Sequence, residues 1–385
     1  MEWMWNYVFW SILFGLMPLV WHLRKNSYRR SKLPPGPRGW PVIGNLFDLG
    51  TLPHRSLAAL KEKYGPVVWL NLGPIKTMVI LSAGAAEELF KNHDLCFVDR
   101  FTNDAMRAHD YYKSSIPFGT YSPYWRTLRR ICTVELFSSK RIKEAVLVRQ
   151  KCVDEMLSWI GKEAEEGASG EIEVKRFLFP AIFNIIGNLT LSRDLVNPNS
   201  EMASEFNMAL SRFIVCLASP NISDLLPWLR WLDLQGLRRR TDRELTKAIQ
   251  IISGFVNERV KQRQHREGRA TEHKDFLDVL LDFEGKGKDE PAKLSDHQIN
   301  IFLMEMFMAG TETTSATIEW AMSELLRNPE SMKKIKAELG SLLHHFDWKL
   351  GDSSSGEIKI DMRETMGLSA RKLVPLRAVP NRLAT

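Results

Sequence analysis

A helix of uncommon length is written into residues 295–327. Ser295-Asp296-His297-Gln298 is a capping box, with serine at the cap and glutamine three residues on, which fixes the start. Apolar residues recur at Ile299, Phe302, Leu303, Met306 and Phe307, and again at Ile318, Ala321, Met322 and Leu325. The spacing predicts one helix to about Arg327, roughly 48 Å long at 1.5 Å per residue. Asn328-Pro329 then begins another helix, with proline at its first position, ending near Gly340. An element of that length needs a large, mainly helical body around it.

The middle of this helix is Ala309-Gly310-Thr311-Glu312-Thr313-Thr314. Helix interiors disfavour glycine by about 1 kcal/mol relative to alanine, and hydroxyls there compete for backbone partners. Gly310 removes a side chain from one wall, and Thr313 can bond back to the Ala309 carbonyl. Together they would open a shallow groove for a small molecule or a water. Glu312 and Thr313 would form an acid–alcohol pair that relays protons toward it. Pattern alone fits equally well with a tolerated glycine and threonines satisfied by the backbone.

Trp125-Arg126-Thr127-Leu128-Arg129-Arg130 is a second constellation. Trp125 and Arg129 are four apart and share a helix face, where an indole N–H and a guanidinium suit a buried carboxylate. The alternative is a solvated basic face, which the adjoining Ile131-Cys132-Thr133-Val134 makes less natural.

The chain has 385 residues, 44% hydrophobic and 26% charged, enough for one large core or two smaller ones. Its net charge is +7, but Arg24, Lys25, Arg29, Arg30 and Lys32 supply five of those charges. The remainder is close to neutral, so a nucleic-acid partner is not expected. The basic cluster comes after an uncharged run from Trp3 to Leu23, 21 residues, long enough to cross a hydrocarbon core. Charges after the run rather than before it, and the lack of a small-residue cleavage site, favour a retained anchor over a signal peptide. Positive-inside logic places residues 24–385 on the cytosolic side.

Residues 24–46 read as a basic, proline-rich linker. Leu33-Pro34-Pro35-Gly36-Pro37 is a stiff, extended spacer that cannot continue the membrane helix. An amphipathic helix at 54–64 precedes strands at Val67–Leu72 and Thr77–Leu81, turned at Gly73-Pro74. Further helices are predicted at 83–92, 122–136, 140–165, 174–190, 201–217 and 241–263. Beyond Gly340, Leu373–Val379 reads as a short strand carrying Pro375. The fold class is mainly α with a small β portion. Cys96, Cys132, Cys152 and Cys216 have no metal-ligand spacing and fit reduced, mostly structural thiols.

Taken together, these motifs resemble a membrane-anchored cytochrome P-450 of the plant microsomal hydroxylase type. The proline spacer with Trp40-Pro41-Val42-Ile43-Gly44-Asn45-Leu46, the Ala309–Thr314 signature and the Trp125/Arg129 pair carry the likeness, in order, over residues 1–340. The resemblance makes Gly310, Glu312 and Thr313 the oxygen-activating residues. It makes Trp125, Arg129, Arg100 and Ala309 contacts of a b-type haem. It further implies electrons from an NADPH-cytochrome reductase, a small apolar substrate of terpenoid or phenolic class, and a single-pass place in the endoplasmic reticulum membrane. Residues 101–121 and 206–225, with Met306 and Ala309, are similar to the family's substrate-contacting regions.

The chain departs from the family at two points. The resemblance requires a thiolate on the iron, from a Phe-x-x-Gly-x-Arg-x-Cys-x-Gly loop. None of the four cysteines lies in such a loop; Cys132 comes nearest, but Leu128 and Val134 replace the glycines. No metal ligand is therefore assigned, and His344-His345 reads as structural. A Glu-x-x-Arg element is also missing from its place, since Glu173–Arg176 and Glu324–Arg327 both lie too early. The segment 341–385 resembles the stretch on the C-terminal side of the family's haem loop. The chain thus reads as 47–340 joined to 341–385 with the intervening block removed. The implied product is an incomplete haem monooxygenase without activity, with a non-catalytic membrane-anchored decoy and an unstable product as alternatives.

Overall fold

The computed structural model describes residues 33–41, 43–166, 170–265, 275–285, 287, 290–338, 343, 345–350, 360–366 and 369–382, together with Met17. The anchor expected at 1–23 (Met17 apart), the basic cluster and the junction at Gly340–Ser341 lie outside them. Among the described residues no helix is long and apolar enough to cross a membrane. Two compact units are present: Met1–Val98 with Asn221–Leu232, and Asp99–Pro220 with Asp233–Thr385.

The first unit is built on helix α1 (Pro53–Tyr64), the antiparallel pair β1 (Val67–Leu72) and β2 (Ile75–Ile80), and helix α2 (Ala83–Asn92). Leu72 faces Ile75 across the Gly73-Pro74 turn, and Gly73 takes the positive φ that such a turn demands. The proline-rich stretch is tied down rather than free. The Trp69 amide donates to the Pro35 carbonyl at 3.0 Å, and the buried Asn45 side chain accepts from the Asn71 amide at 2.9 Å. A Cβ on Gly36 would come within 1.9 Å of the Trp69 carbonyl oxygen, so only glycine permits that approach.

The second unit is mainly helical. After a single-turn helix at Tyr111–Ser114, its helices are α3 (Pro123–Glu135), α4 (Ser139–Glu144), α5 (Val146–Glu166), α6 (Val174–Leu191), α7 (Glu201–Ala218), α8 (Leu237–His265), α9 (Phe276–Leu281), α10 (Asp296–Arg327) and α11 (Pro329–Glu338). The small β portion has strands β3 (Ile172–Glu173), β4 (Phe346–Lys349), β5 (Glu364–Met366), β6 (Ala370–Lys372) and β7 (Arg377–Arg382). β7 lies between β3 and β4, all antiparallel, and β5 pairs with β6. The mainly α architecture with a minor β portion is the one expected.

Local chemistry explains the boundaries. Ser122 caps α3 by accepting from the Trp125 amide at 3.2 Å, with Pro123 in the first turn. Both bonds of the Ser295–Gln298 capping box form, and α10 runs the full 32 residues to Arg327. Two expectations are corrected. The helix expected over 140–165 breaks at Ala145, whose small buried side chain sits at a turn with φ −78° and ψ 0°. The last strand starts at Arg377, not Leu373, and carries Pro380 rather than Pro375. The reason is that Leu376 spends its backbone elsewhere: its amide donates to Glu319 at 2.8 Å and its carbonyl accepts from Val174 at 3.0 Å.

Two apolar clusters form the core of this unit. One gathers Tyr111, Leu128, Phe183, Phe206, Phe213 and the α10 residues Ile299, Ile301, Phe302, Leu303, Met304, Phe307 and Met308. The other gathers Ile160, Phe177, Leu178, Met322, Phe346 and Trp348. α10 threads both, and Ala309–Thr314 is the stretch between them. Burial of these side chains, at roughly 1.5–3 kcal/mol each, fixes the helix at both ends and leaves its middle free for polar residues.

Candidate functional site

The middle of α10 presents two different faces. Thr311, Glu312 and Ser315 are buried, whereas Ala309, Thr313, Thr314 and Thr317 are exposed and Gly310 is half-buried. Thr313 Oγ1 donates to the Ala309 carbonyl at 2.5 Å, and Thr317 Oγ1 donates to the Thr313 carbonyl at 2.8 Å. Those backbone bonds keep the hydroxyls against the helix and leave a row of small residues open along it.

Gly310 is explained by its neighbour. A Cβ there would stand 2.8 Å from Ile186 Cδ1 on α6, so the missing side chain lets α6 approach closely. The gap is filled from that side by Ile186.

Glu312 and Thr313 are adjacent in sequence but do not share a face. Glu312 Oε1 is 3.1 Å from Lys175 Nζ on α6 and 3.1 Å from Arg371 Nε on β6. Its carboxylate is thus held in a buried ion-paired triad, away from the exposed threonine row. Neither cation is announced as a partner by the sequence, because Lys175 is 137 residues away and Arg371 belongs to the tail.

The tail continues down the same helix. Glu319 accepts from the Leu376 amide, Trp320 Nε1 donates to the Ala370 carbonyl at 3.3 Å, and Lys372 Nζ lies 4.8 Å from the Trp320 ring centroid. Burial raises the Glu319 carboxyl and lowers the Lys372 ammonium from their ordinary values.

Trp125 and Arg129 share a face of α3, as their spacing requires: the Arg129 guanidinium lies 5.4 Å from the Trp125 ring centroid. The indole N–H, however, donates to the Ile116 carbonyl at 2.8 Å rather than to a carboxylate. Arg129 is exposed and makes no ion pair among the described residues, and Arg100 is exposed as well. Arg130 instead pairs with Glu290 at 2.9 Å.

One further acid is not singled out by the sequence motifs. Glu305, one turn before Ala309, is buried, accepts from the Ser115 hydroxyl at 2.5 Å and from the Ile116 amide at 2.9 Å, and has no cationic partner among the described residues. Burial pushes its carboxyl up to about 7. Its signal is a lone charge inside the apolar run Met304-Glu305-Met306.

With this fold and these residues in place, the class is defined: the chain belongs to the cytochrome P450 family, whose profile matches residues 34–368. It is similar to Cytochrome P450 76A2 of Solanum melongena, 51% identical over 347 residues, covering 89% of this chain and 68% of that protein. Iridoid oxidase of Catharanthus roseus is 43% identical over 328 residues, covering 84% of this chain and 63% of that protein. Geraniol 8-hydroxylase of Catharanthus roseus is 37% identical over 317 residues, covering 82% and 62% respectively. The chain therefore spans about two thirds of the length of the curated relatives it matches. A zebrafish cytochrome P450 structure with progesterone superimposes with a TM-score of 0.59 at 24% identity, covering 74% of this chain and 64% of that one, which shows the shared fold.

Family membership implies haem as cofactor, so the fit of these residues to that group matters. The open small-residue face of α10 and the exposed Arg129 suit one side of a flat anionic macrocycle. The axial position does not fit. A thiolate ligand needs a cysteine that can reach the iron, and here Cys132 on α3, Cys152 on α5 and Cys216 on α7 are all buried on helices. Burial pushes the Cys132 thiol up to about 12, with the Glu305 carboxylate adding to it, and pushes Cys152 up to about 11. Cys216 is raised by burial as well. Cys96, the fourth, is exposed in the first unit.

Proposed function

We propose that this chain descends from plant hydroxylases of the cytochrome P450 family and does not itself carry out monooxygenation. The parent activity would be hydroxylation of a small apolar substrate of terpenoid or phenolic class, using dioxygen and electrons from an NADPH-cytochrome reductase. Relatives named iridoid oxidase, geraniol 8-hydroxylase and geranylhydroquinone 3''-hydroxylase support that substrate class. The observation that carries the proposed inactivity is the place of the thiols: the three cysteines of the second unit are buried on helices α3, α5 and α7, and none of the chain's four lies in a glycine-bracketed loop. No reaction step is therefore derived through the iron.

A second reading has its own support. The tail docks on α10 through Glu312, Glu319 and Trp320, which favours a folded, non-catalytic protein over an unstable product. With the uncharged run at 3–23, such a protein would be anchored in the endoplasmic reticulum membrane with its body in the cytosol, where it would compete for the reductase.

Turnover assays separate these readings from an active enzyme. Membranes holding the full chain and a reductase, supplied with NADPH and geraniol, should form no hydroxylated product. Product formation dependent on this chain would overturn the proposal. Co-purification of the reductase above background would support the decoy, and its absence would count against it.

A further inference from the structure

The segment from Asn103 to Phe118, which includes the short helical stretches Ala105–Asp110 and Tyr111–Ser114, is strapped to three longer helices. Asn103 Nδ2 donates to the Leu217 carbonyl of α7 at 2.8 Å. His109 Nε2 lies 2.8 Å from Thr246 Oγ1 and 3.2 Å from Asp242 Oδ1, both on α8. The third strap is Glu305 of α10, holding the Ser115 hydroxyl and the Ile116 amide. His109 and Asp110 both take positive φ, 49° and 53°, a conformation unfavourable for side-chain-bearing residues that persists only where surroundings enforce it.

Ile116 links two of the site's helices through its backbone. Its amide donates to Glu305 Oε2 at 2.9 Å, and its carbonyl accepts from Trp125 Nε1 at 2.8 Å. Ser115 is shared in the same way, since its hydroxyl also accepts from the Phe118 amide at 3.1 Å. A carboxylate here has no cation among the described residues to neutralise it, which makes it a costly choice for filling a core. Tyr111 and Tyr124 are the other titratable groups facing it, with Cys132 behind them.

We propose that Glu305 is a positioning residue: through Ser115 and Ile116 it holds the loop segment 114–118 in one conformation and thereby fixes the Trp125 indole beside Arg129. The consequence for cofactor binding rests on the reading of Trp125 and Arg129 as the cofactor's edge. The positioning itself does not, and it is measured without haem.

The test uses the full chain labelled with 5-fluorotryptophan, with hydrogen exchange read on the same preparation. In Glu305→Met the Ile116 amide, which loses its acceptor, and the Phe118 amide, whose acceptor Ser115 loses its anchor, should lose protection about tenfold. The Trp125 fluorine resonance, assigned by its absence in Trp125→Phe, should shift. Glu305→Gln keeps an acceptor and a donor in place, so both signals should stay near the parent's. Should Glu305→Met fail to fold, Ser115→Ala removes one strap alone and should expose Phe118 with a smaller shift of Trp125. Parent-like protection and resonance in Glu305→Met, or in Ser115→Ala where that variant stands in, would overturn the proposal. So would a Glu305→Gln protein as loosened as the methionine variant. A thiolate-haem spectrum from the parent would overturn the proposed function and leave this inference standing.

Discussion

Arg371 Nε lies 3.1 Å from Glu312 Oε1, joining a strand of the tail to the middle of the longest helix. Both side chains are largely withdrawn from solvent, and Lys175 completes the set from α6. The contact has two effects. It makes residues 360–366 and 369–382 part of the second unit's packing, and it turns the Glu312 carboxylate away from the exposed Thr313 row.

Breaking that triad should be costly, because a buried charge is left with fewer partners. Arg371→Met should lower unfolding stability by about 3 kcal/mol in urea denaturation. Because the two side chains meet, the double variant Arg371→Met/Glu312→Met should lose clearly less than the sum of the single variants. Additive losses would show that the two side chains do not act together.

Glu305 should give the chain a distinctive pH dependence. Its carboxyl is raised by burial from 4.5 to about 7, so the folded state binds a proton that the unfolded state has released between those values. Its contribution is therefore fully present below pH 4.5, declines as pH rises, and is lost above pH 7. The loss is on the order of 3 kcal/mol at about 1.36 kcal/mol per pH unit. Glu305→Gln should be less pH-sensitive in this window and more stable than the parent at about pH 8, read from paired denaturation curves.

Gly310 should tolerate little. Alanine would meet Ile186 Cδ1 at 2.8 Å, but that atom ends a flexible side chain and alanine favours helix, so Gly310→Ala should cost less than about 1 kcal/mol. Gly310→Val should cost about 2–3 kcal/mol by overpacking, and Ile186→Val should relieve part of it. Thermal unfolding of the four proteins completes the cycle.

Arg129 and Trp125 should separate by stability. Arg129 is exposed, so Arg129→Ala should change stability by less than about 0.5 kcal/mol. Trp125→Phe deletes the bond to Ile116 and should cost about 1 kcal/mol. An exposed guanidinium stacked on the Trp125 indole and nearly dispensable to stability is what a cofactor edge would present.

Local signals in the sequence were enough for much of the fold. Ser295 and Gln298 announced α10 because a capping box is complete within four residues. Gly73-Pro74 marks the β1–β2 turn for the same reason. The site was legible only where its geometry is local: Thr313 reaching Ala309, and Trp125 meeting Arg129. What stayed hidden depends on distant partners. Arg371 and Lys175 approach Glu312 only once the tail and α6 are packed. Leu376 leaves the β ladder because Glu319 claims its amide, which no strand propensity could show. Gly310 looked like a groove, and only the packing reveals Ile186 in the space.

Whether the chain can present a thiolate to haem iron decides between an enzyme and a non-catalytic relative. The direct measurement is the reduced, carbon-monoxide-bound spectrum of the full chain, expressed with a haem precursor and purified from membranes. No band is expected at the thiolate-haem position, because Cys132, Cys152 and Cys216 are buried on helices and none of the four cysteines lies in a glycine-bracketed ligand loop. A stable band at that position, lost on substitution of one of the four cysteines, would contradict the proposed inactivity.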